Sequence, residues 1–226
     1  MATTTNFGWT TPDDTSLVKD GAAAIRTLGQ SIDTSFVDLK GGTTGQVLTK
    51  ASGTDLDFSF TTLSAGALTL VKSQTIGTTV SSVTVTSAFS ATYDNYLITI
   101  NGGVASTNNT LDLKLGSTTT GYYYFGAYGN ATSATVNGDN GNNASSFRYV
   151  GSGDTNLLAG QFTLQNPNLA KATTIYASSV RTGTGNINLL FNGSETSATQ
   201  HTDFTLLVNT GTITGGTIRV YGYQNS

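Results

Sequence analysis

The chain has 226 residues, a formal net charge of −3, 27 glycines, two prolines and no cysteine. Only 10% of its residues are charged, and the Lys and Arg are scattered, so no basic patch of the kind nucleic acid needs is present. Without cysteine there are no disulfides and no thiolate metal site.

That length allows one large β domain or two small ones. Thr, Ser, Asn and Gly stand where charges are usual, and Thr in quantity favours strands. The opening MATTTNFGW has neither the basic n-region nor the apolar h-region of a secretory signal. No apolar run approaches the ~18 residues of a membrane span. Glycosylation sequons at Asn108, Asn130, Asn143 and Asn192 are what chance gives in this composition.

Residues 1–10 are polar except for Phe7 and Trp9. Those two serve either as a hydrophobic dock on another protein or as a staple against the first turn of the following helix. That helix is expected over 11–40. Thr11 is placed as N-cap with Pro12 at the first helical position, and Asp13 and Asp14 suit the positive end of the dipole. Val18, Ile25, Ile32 and Leu39 recur every seven residues, with Leu28 three residues after Ile25. A seven-residue apolar stripe points to a coiled coil, and β-branched core positions can favour three strands. The other reading is an amphipathic helix lying on its own domain.

GGTTG at 41–45 breaks the helix. QVLTK and LDFSF then flank a Gly-containing loop and read as a β-hairpin, with Leu56, Phe58 and Phe60 on one face. Small polar residues at 61–67 form the linker to a domain over 68–226. There, strands are expected at 68–76, 80–87, 96–102, 110–115, 122–128, 146–150, 157–164, 172–180, 187–191, 203–208 and 216–223. Many short strands between Gly/Asn turns, without helical period, give a mainly β chain. The expected architecture is an antiparallel β-sandwich, jelly-roll-like, preceded by a short helix and a hairpin stalk. Residues 130–145, NATSATVNGDNGNNAS, read as a long loop, and loops of that size are functional or mobile.

No nucleophile elbow, P-loop or H-E-x-x-H motif occurs. The single His, His201, reads as a solvated loop residue six positions after the single Glu, Glu195. No cofactor is called for. Hard oxygen ligands at Asn137, Asp139, Asn140 and Asn142 suit calcium, although the EF-hand pattern is missing. The remaining constellation is aromatic. Tyr122, Tyr124 and Tyr128 lie beside Asn137, Asp139 and Asn142, a combination that can stack on sugar rings and bond their hydroxyls. Tyr122 to Tyr124 alternate along a strand, so at least one faces the core, and packing competes with binding as their role.

NFGWTTPDDTSLVKDGAAAIRTLGQSID and GGTTGQVLTKASGTDLDFSF resemble the N-terminal segment of tailed-bacteriophage tail-fibre and related virion proteins. YDNYLITI, the Asn-Pro-Asn turn at 166–168 and the ending GGTIRVYGYQNS are similar, more loosely, to their β-sandwich tips. The resemblance implies a homotrimer on the outer surface of a virion. Its N-terminus, with Phe7 and Trp9, would be held by a tail or head protein, and its sandwich would face the host. The expected function is attachment to a host-surface glycan or another receptor, with no enzymatic activity, no nucleic-acid partner and no membrane insertion. The alternative is a structural component such as a head decoration, head fibre or fibre adaptor. A capsule-degrading enzyme is a third class, one that calls for clear paired carboxylates.

Overall fold

A computed structural model describes residues 1–15, 17–63, 66–182 and 186–225. The chain forms two compact units, 1–64 and 65–226.

The first unit begins with a small hairpin instead of a helix. Strand β1 (Ala2–Thr3) pairs antiparallel with β2 (Thr10–Thr11). Gly8 makes the turn at φ +65°, and its N–H donates to the Thr4 carbonyl at 3.0 Å. Thr11 is therefore a strand residue and not an N-cap. The Asp13 carboxylate accepts from the Thr15 N–H and hydroxyl and pairs with the N-terminal amine at 2.8 Å. The helix proper, α1, spans Gly21–Ser35, between 3₁₀ turns at Val18–Asp20 and Val37–Leu39. Two members of the heptad series, Val18 and Leu39, thus fall outside it. What remains on α1 is Ile25, Leu28 and Ile32, and none of the helix's residues is buried.

Trp9 packs at the far end of α1 and not at its first turn. Its indole N–H donates to Ser35 Oγ at 3.0 Å, and its ring stacks on Phe7 (4.9 Å) and meets the edge of Phe36 (6.1 Å). The hairpin expected over 41–60 forms as β3 (Gln46–Lys50) and β4 (Phe58–Thr62), with Leu48 opposite Phe60. Leu56 sits at φ +61° in the turn and leaves the strand's apolar face to Phe58 and Phe60.

The second unit is an antiparallel sandwich of twelve strands. One sheet carries β5 (Leu68–Thr75), β7 (Asn95–Ala105), β9 (Tyr122–Asn130), β10 (Thr135–Ala144), β12 (Leu158–Gln165), β13 (Thr173–Arg181), β14 (Ile187–Glu195) and β16 (Ile213–Tyr223). Its order is β10-β9-β14-β13-β12-β7-β16-β5. The other holds β6 (Ser82–Val85), β8 (Asn109–Leu115), β11 (Phe147–Gly153) and β15 (Phe204–Val208), in the order β11-β8-β15-β6. A short pairing of Ser152 and Gly153 with Ala159 and Leu158 joins the two.

Alternation decides which side chains go inside. Leu111, Leu113 and Leu115 of β8 are fully buried, as are Ile175 of β13, Leu164 of β12 and Tyr96 and Ile98 of β7. Aromatic contacts bridge the sheets: Tyr122 on Phe147 (4.8 Å), Phe147 on Phe191 (6.0 Å) and Phe162 on Phe204 (6.4 Å).

The segment 130–145 is largely strand. After a turn at 131–134, β10 pairs residue by residue with β9, Asn137 opposite Tyr128 and Asp139 opposite Gly126. It lies at the sheet edge and buries nothing, so it needs no apolar alternation. His201 is likewise not solvated: it is 3% exposed.

Candidate functional site

Two places gather side chains with chemistry. The first lies where the edge strand of one sheet, β10, meets the edge strand of the other, β11. Arg148 of β11 pairs with Asp139 of β10 at 2.9 Å, and its guanidinium lies 4.8 Å from the centre of the Tyr149 ring. The Tyr149 phenol lies close to Asp139, and the Tyr124 phenol close to Arg148. The Tyr128 ring is 6.1 Å from that of Tyr149.

Burial pushes the Tyr149 phenol up to about 12, with the nearby Asp139 adding to the shift. Burial also pushes the Asp112 carboxyl up to about 6, against the pull of the Arg148 charge and of a Tyr149 backbone hydrogen bond. One Asp112 oxygen, Oδ1, has no hydrogen-bond partner among the described residues.

This cluster brings together three of the expected binding residues, Tyr124, Tyr128 and Asp139. Asn137 shares their side of β10 two residues from Asp139, and Asn142 is exposed at the bulge between Gly141 and Ala144. Tyr122 does not belong to it. Its side chain is fully buried, and its hydroxyl accepts from the Leu115 N–H at 2.9 Å. Tyr124 is only 8% exposed, its ring lying where a Cβ on Gly141 would have to go. The Asp139 carboxylate, one of the hard oxygen ligands suggested for calcium, already accepts from Arg148 and from the Asn140 N–H. Among the described residues no group of three or more His, Asp or Glu is placed to hold a metal ion. The cluster is a clasp that closes one side of the sandwich with its polar groups mostly bonded to one another.

The second place is the outer face of the larger sheet. On β9, β14, β13 and β12 every second side chain points away from the core. Register sets Phe125 beside Asn192, Asn192 beside Tyr176, and Tyr176 beside Thr163. The next row runs Ala127, Leu190, Ser178, Gln161. Phe125, Tyr176 and Leu190 are 60%, 57% and 68% exposed. They border a cavity of about 460 Å³ whose walls also include Gln161, Ser178 and Asn192 and no charged residue. The Gln161 and Asn192 side chains make no hydrogen bond with any described residue. Rings and free amides side by side are equipped to hold a ligand that is apolar on its faces and hydroxylated at its edges.

Sequence reasoning missed this face because its members come from four strands. Phe125 adjoins the tyrosine run, but only the register places Asn192 and Tyr176 next to it. Comparison with protein-family models, curated proteins and solved structures gives no match.

Proposed function

We propose that this chain is a homotrimeric virion protein of a tailed bacteriophage, presenting its β-sandwich for attachment to glycan on the host surface. The observation that carries the reading is the outer face just described, where exposed Phe125 and Tyr176 flank the unbonded amide of Asn192. The phage assignment rests on the sequence resemblance of the first sixty residues.

The proposed trimer draws support from α1. Ile25 is 65% exposed and Ile32 37% exposed. A helix of this length is marginal in water by itself, and its apolar stripe is stabilised by burial against other copies. Three-fold display would multiply weak sugar contacts without any new contact being made.

The test is binding of the fluorescently labelled full chain to a panel of bacterial strains, after its mass has been fixed by light scattering. Saturable binding of a trimer, competed by the strain's own surface polysaccharide, supports the proposal. A well-folded trimer that binds none of the strains sinks the attachment reading in favour of a structural role on the particle.

A further inference from the structure

The outer face carries more than a general affinity for sugar. Phe125 on β9 and Tyr176 on β13 stand in one row with only β14 between them. Two strand spacings put the rings roughly 10 Å apart, the length of a disaccharide in an extended chain. Asn192 sits midway, level with both. Thr163 continues the row on β12, and Leu97 of β7 follows it. Ser178 and Gln161 run alongside in the neighbouring row.

From this spacing we infer that the face binds an uncharged, extended glycan lying across the strands. Phe125 and Tyr176 stack on alternate sugars, and Asn192 bonds the hydroxyls of the sugar between them. This deepens the attachment reading proposed above and rests on it.

Three observations select this occupant. The row runs unbroken over four adjacent strands, which suits an extended chain laid across them. The cavity wall has no charged residue, and the first charge met along the Ser178–Gln161 row is Arg219, beyond Thr99. A polyanion would find nothing there to neutralise it. Finally, an interface between copies of the chain would want an apolar centre, whereas here an amide separates the two rings. Docked against another protein, the Gln161 and Asn192 amides would lose water without assured partners. Sugar hydroxyls both donate and accept, and can satisfy each of them.

The experiment is to apply the full-length protein to a printed array of neutral and anionic bacterial polysaccharides, then to titrate fragments of increasing length from whichever neutral polymers bind. Affinity should climb from one sugar to three or four and then level off. Phe125→Ala and Tyr176→Ala should each weaken binding about tenfold, the scale of one lost stacking contact. Thr205→Ala, on the outer side of the other sheet, should leave it unchanged. Binding confined to anionic polymers, affinity independent of length, or indifference to both ring deletions would each overturn the inference. A fall in oligomeric mass on losing either ring would overturn it too, by assigning the face to contact between copies. The same variants are assayed on cells. Cell binding that survives both deletions preserves attachment and removes only this face from it. Loss of all cell binding by the unaltered trimer removes the attachment reading itself.

Discussion

His201 and Glu195 form a buried pair, Nε2 to Oε2 at 3.1 Å, with Glu195 completely inaccessible. The other carboxylate oxygen accepts from the Ser197 N–H at 2.6 Å. The His201 backbone N–H donates to the Pro167 carbonyl, and Asn168 Nδ2 donates to the His201 carbonyl at 2.7 Å. The pair therefore ties the end of β14 to the Asn-Pro-Asn turn and to the start of β15. Removing one member leaves the other's buried polar atom without its partner, at a cost of about 1–3 kcal/mol. Glu195→Ala should lower unfolding free energy by that amount in urea titration, and Glu195→Gln by less. A loss under 1 kcal/mol for the alanine variant would show that the pair holds nothing in place.

The Asp112 carboxyl yields a pH dependence of definite sign. Its value in the folded protein, about 6, lies above the ordinary 3.8. The folded state thus holds this proton more tightly than the unfolded chain does. Its contribution disfavours folding as pH rises from about 4 to 6, and the full penalty, roughly 2–3 kcal/mol, applies above 6. Asp112→Asn should therefore raise stability at pH 7.5 and change it little near pH 4. Equal effects at the two pH values would mean that the carboxyl is not desolvated as described.

Tyr122 reaches across from β9 to the end of β8. Its hydroxyl takes the Leu115 N–H at 2.9 Å, and burial pushes the phenol up to about 12. Tyr122→Phe keeps the ring against Phe147 and leaves that N–H without its partner, which costs about 1–3 kcal/mol. A thermal melt compared with the parent reads this directly. The expected result is a lower midpoint with binding of any ligand unchanged.

The stripe on α1 makes its own prediction under the proposed trimer. Ile25→Asp with Ile32→Asp places two charges on the face assigned to the other copies. Light scattering should report a monomer, with the β-sheet circular dichroism intact. Retention of the parent mass would move self-association elsewhere in the chain.

Much of the second unit was readable from residue order. Alternation such as Leu111, Leu113 and Leu115 marks strands whose inner residues are buried, and all eleven expected strands are present with ends shifted by a few residues. β10 escaped because alternation signals a buried face and this edge strand has none. Thr11, Pro12 and Asp14 fit a helix cap by residue type, while the pairing of Thr10 and Thr11 with Ala2 and Thr3 that replaces it depends on a turn at Gly8. The polar neighbours of His201 point to a solvated loop, whereas its burial comes from Glu195 and the turn at 166–168 packing on it. The outer row of Phe125, Asn192 and Tyr176 is a product of register between strands, which local composition does not encode.

In β12, β13 and β14 the inward residues carry the packing, and the outward ones rest on no neighbouring layer. Surface substitutions of that kind usually change stability by less than about 0.5 kcal/mol. Selection can therefore edit the outer face one codon at a time while the interior stays as it is. Descendants of one sandwich can come to carry unrelated surfaces, and their kinship would then be preserved in the buried half of each strand.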